Sequence, residues 1–431
     1  MARLPSARTA LTLLTGLNFL NYLDRFIPAA ILSTILTEMG LSDTKGGSLQ
    51  TLFIMTFVVV SPFAGWLGDR APRFRIAAVG VLIWSAATFA SGLAPTYALL
   101  VLARACIGVG EASYTVVTPS LLSDFYPTNR RSSVLATFYA AIPIGSALGY
   151  VLGAQIATHF GWRYAFFVAG VPGAALAGIL LFLRDPKRGA QDPRTLRQAQ
   201  EEADAQEKKK RLARETGSVS TIVSVAGAVR ELGVRRSFIF NTASQVIYTF
   251  TVGGLAVWMP TYFIRERGLS IGAAGTAFGG VLALAGIVGT LIGGRLGDWL
   301  SHKRPDAHFH MSGIALIASL PFTLLAVLSP TPAIFWPAMF VSLTLFFLTT
   351  GPLNAAMANV LPAALRGRGF AVNTMAIHLL GDALSPLLIG AASDRIGLRV
   401  PVLAASALMV VAGAILLAGR GALTRDLAAA A

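Results

Sequence analysis

Twelve stretches of about 20 predominantly apolar residues follow one another along the chain, and they limit its possible folds more than any other feature. A helix of about 20 residues, rising about 1.5 Å per residue, crosses the hydrocarbon core of a bilayer. The mean hydropathy is +0.66 and only 13% of the residues are charged, which excludes a soluble protein of this size. We predict an all-α integral membrane protein with twelve transmembrane helices, called spans 1 to 12. The predicted spans are residues 10–32, 46–68, 74–94, 97–121, 133–157, 163–183, 237–263, 271–296, 311–329, 333–360, 369–391 and 399–419.

The chain divides into two halves around a charged stretch. We predict an N-terminal six-helix bundle at residues 1–183, a charged linker at 184–235 and a C-terminal six-helix bundle at 236–431. Short motifs recur in the second half: GGRLGD at 293–298 echoes GWLGDR at 65–70, and DRIGLR at 394–399 echoes HFGWR at 159–163. Parallel repeats of this kind predict a binding site between the halves, near the middle of the membrane.

The net charge of +15 reflects the orientation of the chain in the membrane. An even number of spans places both termini and the linker on one side, and most lysines and arginines fall on that side. Cytoplasmic loops are enriched in these residues, so we predict cytoplasmic termini and no nucleic-acid partner, with an RNA-binding patch in the linker as the open alternative. The Ala-, Gly- and Arg-rich composition favours a bacterial inner membrane. The opposite side carries Lys45, Arg163, Arg265, Arg267, Arg395 and Arg399.

The loop after span 2 has the sequence GWLGDRAPRFR at residues 65–75. Its glycines permit close helix packing and a tight turn, and Asp69 can face the N-terminal dipole of a neighbouring helix. This stretch resembles the loop motif of the major facilitator superfamily, and Asp298 marks a weaker copy of it. The resemblance implies two six-helix bundles that alternate access to a central site, with Asp69 and Asp298 at the gates. The predicted gating residues are Gly65, Gly68, Asp69, Arg70, Arg73, Arg131 and Asp298.

Four charged residues lie inside the predicted N-terminal bundle: Asp24 and Arg25 in span 1, and Arg104 and Glu111 in span 4. A charge at mid-bilayer costs about 2.5 to 3.5 kcal/mol, so such residues are functional candidates. Arg104 and Glu111 are about 10 Å apart along one helix face, too far to pair with each other. We therefore expect a network of the four charges across the two spans. A static staple between the helices is the alternative reading.

The C-terminal half offers mainly neutral polar residues in its predicted spans, with His378 and Asp382 four residues apart as the exception. A structural hydrogen-bonded pair, between helices or near a helix end, is the alternative reading of these two residues. This division predicts coupling in the first half and substrate shaping in the second. The predicted proton-coupling residues are Asp24 and Glu111. The predicted substrate-binding residues are Arg25, Arg104, Asn21, Tyr22, Tyr114, Tyr139, Asn241, Gln245, Tyr248 and His378.

A narrower resemblance comes from RACIGVGEASY at 104–114, NYLDR at 21–25 and FYAAIPIGSALGY at 138–150. These stretches resemble the Spinster branch of the superfamily, which comprises proton-linked lysolipid and sphingolipid transporters. The resemblance implies that Asp24, Arg25, Arg104 and Glu111 are the functional charges. It also implies a cavity for an amphiphile, with a charged head near these residues and an acyl tail among apolar walls. We expect protons as the coupling ion, no cofactor and no metal, a monomer, and membrane lipids as further partners.

Other functions remain as alternatives. A proton-coupled symporter of small organic anions is favoured by the two arginines, and a multidrug efflux antiporter is weakened because each acid is accompanied by an arginine. A membrane scaffold or sensor is the alternative outside transport. We do not expect an enzyme, because no phosphate-binding glycine loop, metal-ligand cluster or nucleophile with a base partner stands out.

Overall fold

The computed structural model describes residues 4–188, 190–191, 235–361 and 363–429. Within these ranges, twelve helices are long and apolar enough to cross a membrane, which confirms the twelve predicted spans. Many of the helices run several residues beyond the predicted apolar stretches. The observed spans are Ala7–Met39, Asp43–Gly68, Arg73–Leu93, Tyr97–Phe125, Ser133–Phe160, Trp162–Leu181, Arg236–Arg267, Ile271–Ser301, Ala307–Leu328, Pro332–Val360, Gly369–Ile396 and Arg399–Ala428. Of the predicted linker, residues 192–234 lie outside the described residues.

The turn between spans 1 and 2 recurs between spans 7 and 8. Gly40 and Gly268 follow the earlier helices with φ of 59° and 64°, a left-handed conformation that glycine adopts without strain. Ser42 and Ser270 then cap the next helices, because their hydroxyls accept hydrogen bonds from the backbone N–H groups of Lys45 and Ala273. The same residue types make the same turn in both halves, as expected of an internal repeat.

Three of the described spans are interrupted. Span 5 is built from the helices Thr128–Tyr139 and Ala141–Phe160, and span 10 from Pro332–Leu348 and Thr350–Val360. In span 11 a π-helical turn, His378–Asp382, separates the helices Ala363–Ile377 and Ser385–Ile396. Hydropathy alone does not reveal these breaks, because the apolar residues continue through them. A π-helical turn within an α-helix often marks a functional site.

The spans pack mainly within their own half. In the N-terminal half span 3 packs on spans 4 and 6, span 1 on span 5, and span 2 on span 4. In the C-terminal half span 12 packs on spans 7 and 9, and span 10 on spans 8 and 9. Contacts between the halves are made by span 2 with span 11, span 5 with span 8, and span 1 with span 7.

The two ends of the bundle are named here by the chain. Span 1 begins at Ala7 on the side that we call the terminal side, where span 12 also ends at Ala428. Span 1 ends at Met39 and span 2 begins at Asp43 on the other side, called the distal side. Because the spans alternate in direction, these names fix the side of every loop.

Candidate functional site

A cavity of about 240 Å³ lies between the two halves. Spans 1 and 2 form its N-terminal wall, and spans 7 and 11 form its C-terminal wall. This is the location that the internal repeat predicts for a binding site. The lining residues are Tyr22, Arg25, Phe26, Ala29, Gln50, Phe53, Ile54, Phe57, Thr249, Val252, Gly253, Ala256, Val257, His378 and Asp382.

Arg25 of span 1 is the cationic residue of the N-terminal wall, and it pairs with Glu111 of span 4. Its Nη2 and Nε atoms donate to Oε2 of Glu111, at 2.5 and 3.1 Å. The guanidinium also lies 4.9, 5.3 and 5.4 Å from the ring centres of Tyr22, Phe53 and Phe57. The Glu111 side chain is fully buried, whereas 16% of the Arg25 side chain is exposed. The arginine of this pair is therefore exposed to the cavity, and the glutamate is not.

Arg104 lies on the same span as Glu111 but takes a different partner. Its Nη2 donates to Oε1 of Gln50 in span 2 at 2.9 Å, and the guanidinium lies 4.7 Å from the ring centre of Phe53. Arg104 is 1% exposed. In the described part of the chain, its Nε and Nη1 atoms have no hydrogen-bond partner. Gln50 therefore connects the buried arginine to the cavity wall, a contact that the sequence analysis did not include.

Asp24 faces away from the cavity, into the N-terminal half. It is 3% exposed, and the Trp84 indole and the Thr88 hydroxyl of span 3 face it. Among the described residues neither of its carboxylate oxygens is in hydrogen-bonding geometry with a partner, and both polar atoms of Asn21 are also without one. In hydrogen bonding, the predicted network thus divides into an Arg25–Glu111 pair and an Arg104–Gln50 pair, while Asp24 lies near the charges of Glu111 and Arg104 without a direct bond to either. Burying an unpartnered carboxylate is costly, so this position calls for an explanation beyond packing.

His378 and Asp382 form a second polar pair, on the C-terminal wall. Nδ1 of His378 lies 3.0 and 3.1 Å from the two carboxylate oxygens of Asp382, within the π-helical turn of span 11. The imidazole also meets the ring of Phe57 edge to face across the boundary between the halves, with 6.3 Å between ring centres. The sequence analysis selected His378 but gave Asp382 no role. The i, i+4 spacing was the available signal for it.

Several predicted substrate-binding residues do not line the cavity. Tyr114 is fully buried and donates its hydroxyl to the backbone oxygen of Leu14 at 2.5 Å. Asn241 donates to the backbone oxygen of Leu353 at 2.9 Å and accepts from Gln245 at 3.2 Å. The Tyr114 and Asn241 bonds to backbone oxygens join helices within one half, and the Gln245–Asn241 bond lies within span 7. Tyr248 packs edge to face on Phe346, and Tyr139 is 45% exposed and packs on Phe138.

The predicted gating residues gather on the terminal side, away from the cavity. Arg73 is 4% exposed and donates to Asp124 at 2.6 Å and to Asp185 at 3.3 Å, so it joins spans 3 and 4 to the segment after span 6. Asp69 and Arg188 form an exposed ion pair at 3.8 Å. The remaining residues make local contacts: Gly65 and Gly68 with valines of span 4, Arg70 with Trp66, Arg131 with backbone oxygens at the end of span 4, and Asp298 with His302 through its backbone oxygen.

The halves are closed against each other at the distal side. Asp43 at the start of span 2 accepts hydrogen bonds from Arg265 of span 7 and Ser393 of span 11. Asp394 of span 11 accepts from the backbone N–H groups of Asp43 and Thr44, at 2.7 and 2.9 Å. Among the described residues, every hydrogen bond between the halves lies between mid-membrane and the distal side.

The described residues include no cluster of three or more His, Cys, Asp or Glu side chains that could hold a metal ion. The cavity carries the Arg25 guanidinium, near three aromatic rings, on one wall and the His378–Asp382 pair on the other.

Sequence comparisons place this arrangement among known proteins. Residues 14–386 match the family model of the Major Facilitator Superfamily. The chain is 31% identical to Protein spinster homolog 1 of Xenopus tropicalis over 407 residues, which cover 90% of this chain and 73% of that protein. It is also 31% identical to the sphingosine-1-phosphate transporter SPNS2 of Danio rerio over 397 residues, which cover 88% and 74% of the two chains.

Solved structures share the fold. A bacterial homolog to the human lysosomal transporter Spinster, in an inward-facing and unoccupied conformation, gives a TM-score of 0.83 at 21% identity, over 98% of both chains. The inward-facing and occupied conformation gives 0.82 at 20% identity, again over 98% of both chains. At these identities the likeness establishes the architecture of two packed halves.

Proposed function

The chain belongs to the major facilitator superfamily and, within it, to the Spinster family, and on that premise we propose that it moves an amphiphilic, lipid-like substrate by alternating access, coupled to protons. It is a transporter and not an enzyme. Membership confirms the resemblance drawn from the GWLGDR and RACIGVGEASY stretches. The proposed substrates are of the sphingoid phosphate or lysophospholipid type, and the SPNS2 relative is a sphingosine-1-phosphate transporter.

The observation that carries the proposal is that a charged cavity lies beside an apolar cleft. The cleft lies among spans 7 to 10 and shares Val252 and Ala256 with the cavity. Its other lining residues are Leu255, Met259, Phe278, Leu282, Thr323, Met339, Ser342, Leu343 and Phe346. The polar atoms of Thr323 and Ser342 satisfy each other at 2.5 Å, so the cleft offers little to a polar ligand. The cleft measures about 20 Å³ in this conformation, so it provides an apolar surface beside the charged cavity and must widen to take an acyl tail.

The size of the cavity supports the same division. Pockets for drug-sized ligands measure about 300 to 1,000 Å³, whereas this cavity measures about 240 Å³. It accommodates a head group, and a long acyl tail requires the adjoining cleft to widen. Arginine binds phosphate through paired N–H groups. In the described residues, the Nη1 group of Arg25 is not used by Glu111 and is left for the substrate.

The Arg25–Glu111 pair supports the proposed proton coupling. When Glu111 is ionised, it holds two of the N–H groups of Arg25. Protonation of Glu111 removes the counter-charge, and the guanidinium then has its full charge available for an anionic head. Asp24 supplies a second buried carboxylate. It lies on a different face of span 1 from Arg25 and close to the charges of Glu111 and Arg104. We propose that the two acids take up and release protons on opposite sides as the transporter changes conformation.

Orientation and assembly belong to the proposal as well. The concentration of lysines and arginines on the terminal side supports a cytoplasmic location for that side, in a bacterial inner membrane. The closed distal side then corresponds to a state that opens toward the cytoplasm. We propose a monomer surrounded by membrane lipids, because the transport site is formed within one chain.

A liposome experiment tests the proposal. Purified protein is reconstituted, a fluorescent lysophospholipid is supplied, and uptake is followed with and without an imposed pH gradient. The gradient is expected to accelerate uptake several-fold for the natural chain and not for Glu111→Gln. Glu38→Gln is the matched control, because Glu38 is also an acid paired with an arginine, Arg163, but it lies at the distal surface. Equal gradient dependence in Glu111→Gln and the natural chain contradicts the proton role of Glu111.

Symport of small organic anions is the second candidate, and it is favoured by the cationic cavity residue Arg25. Labelled small carboxylates in the same liposomes distinguish it. Uptake of carboxylates without uptake of the lysolipid supports the second candidate and contradicts the first.

A further inference from the structure

The two walls of the cavity carry opposite charges. Arg25 presents a guanidinium from span 1, and Asp382 presents a carboxylate from span 11. The exposed fractions of the Arg25 and Asp382 side chains are 16% and 19%, so both reach the space between the halves. They are not in contact with each other, and they place a positive and a negative group on facing walls of one cavity.

Asp382 is held in place from two directions. His378 contacts both of its carboxylate oxygens from one turn earlier. On the other side, Gly253 of span 7 lies against the Asp382 backbone and Cβ so closely that a methyl group at this position would overlap them. Gly381 makes a similar approach to the backbone of span 7 at Val246 and Phe250. The π-helical turn is therefore packed tightly on span 7, and the carboxylate has a fixed position at the wall.

The hydrogen bonding of Asp382 is incomplete. An ionised carboxylate accepts about four hydrogen bonds, and His378 supplies a single N–H to it. In the described part of the chain, the hydrogen bonds of the Asp382 side chain are those with His378. A static pair would leave the remaining lone pairs unused toward the cavity. A compact cation with several N–H groups fits this position, because an ammonium group donates up to three hydrogen bonds.

We propose that Asp382 binds the ammonium group of a zwitterionic head group while Arg25 binds its phosphate. This inference rests on the proposed function, and it assigns Asp382 the recognition of the ammonium group. A head group with a phosphate alone meets Asp382 as a like charge. A cationic amphiphile without phosphate is disfavoured because its positive charge is like that of Arg25. Selectivity for the zwitterion follows from the two walls together.

Two lysolipids that share acyl chain and phosphate provide the test. Lysophosphatidylethanolamine carries an ammonium group, and lysophosphatidylglycerol carries hydroxyls in its place. Binding of each to purified protein in nanodiscs is measured for the natural chain, Asp382→Asn, Asp382→Glu and the control Glu38→Gln. We expect the natural chain and Glu38→Gln to prefer the ethanolamine lipid by about tenfold or more, as for a charge-assisted hydrogen bond. Asp382→Asn loses that preference and keeps its affinity for the glycerol lipid, and Asp382→Glu restores part of the preference.

The following results would contradict the inference. An equal loss of both lipids in Asp382→Asn assigns Asp382 a structural role, and an unchanged preference removes it from recognition. If Asp382→Asn does not fold, the natural chain alone still decides, because equal affinity for the two lipids overturns the ammonium subsite while leaving lysolipid transport intact. Binding of neither lipid by the folded natural chain contradicts the proposed function itself, and the inference falls with it.

Discussion

Nη1 of Arg265 lies 2.8 Å from both carboxylate oxygens of Asp43 and thereby joins span 7 to span 2 across the boundary between the halves. Ser393 donates to the same carboxylate at 2.6 Å, so three spans meet at Asp43. The carboxylate is 9% exposed, and the site lies at the distal side, where the halves are closed. Opening of that side requires these bonds to break.

Asp43→Asn is expected to shift the protein toward states with an open distal side. The variant loses the ionic component of the bonds from Arg265 and Ser393, and a hydrogen bond to a charged group contributes about 1.5 to 3 kcal/mol. The Arg265 side chain is 33% exposed, so solvent screening reduces the effect. We expect a shift of about tenfold in the conformational equilibrium.

Alkylation of a cavity cysteine measures this shift. Thr249→Cys in a Cys106→Ser background places one thiol on the cavity wall, and a membrane-impermeant maleimide is added from the distal side. Asp43→Asn is expected to raise the labelling rate about tenfold. Glu38→Gln weakens the ion pair with Arg163, which lies at the distal side but within one half, and it should leave the rate unchanged. Equal rates in all three proteins would contradict a latch at Asp43.

Gly47→Ala tests the packing beside the same latch. A methyl group at Gly47 would overlap the Pro386 carbonyl of span 11. Overpacking of this kind costs about 1 to 3 kcal/mol, and here the cost falls on the closed distal side. We expect faster distal labelling of the same cysteine. Gly16→Ala is the control, since no atom of a neighbouring residue lies within 4 Å of the added carbon. An effect of similar size in Gly16→Ala would assign the change to the helix itself.

Arg25→Lys separates charge from geometry in the cavity. Lysine keeps the positive charge but loses the planar group that contacts Glu111 through two nitrogens and lies near three aromatic rings. We expect the affinity for a lysophospholipid to fall about tenfold or more. Equilibrium binding at constant pH measures it. A lysine variant that binds as well as the natural chain would show that only charge matters at this position.

Gln50→Leu is expected to destabilise the fold through Arg104. The variant keeps the size of the side chain but removes the acceptor, 2.9 Å away, from an arginine that is 1% exposed. A hydrogen bond to a charged group contributes about 1.5 to 3 kcal/mol. Thermal unfolding in detergent should show a clear loss of stability. Gln155→Leu removes an exposed bond to Thr276 between spans 5 and 8 and should cost about 1 kcal/mol or less. Similar losses in both variants would contradict the assignment.

Asp306, before span 9, gives a pH-dependent prediction. Burial acts to raise the pKa of Asp306, but hydrogen bonds from Arg304 and Arg420 outweigh it and lower the pKa to about 2. Because the folded-state pKa lies below the ordinary value of 3.8, the ionised group stabilises the fold above that value, and the contribution fades as the pH falls toward 2. Asp306→Asn should therefore lower stability by about 1 kcal/mol at pH 7. The difference should shrink between pH 4 and pH 3. A difference that persists unchanged at pH 3 would show that the bonds do not depend on the charge.

The sequence determined the architecture, because crossing a bilayer fixes the length and hydropathy of each span. The positions of the arginines and lysines along the chain also predict its orientation in the membrane. It also showed that Arg104 and Glu111 need partners on other helices, since helix geometry separates them by about 10 Å. It did not determine the partners. Arg104 contacts Gln50 and not Asp24.

The tertiary structure decided which neighbouring side chain reaches the cavity. Asp24 and Arg25 point about 100° apart on one helix, and the rotation of span 1 against spans 3 and 4 is what turns Arg25 inward and buries Asp24. The position of Asp382 on the cavity wall is likewise set by tertiary packing, because its π-helical turn packs on Gly253 of span 7. Such contacts depend on the packing of helices far apart in sequence, and neither hydropathy nor spacing along one helix encodes that packing.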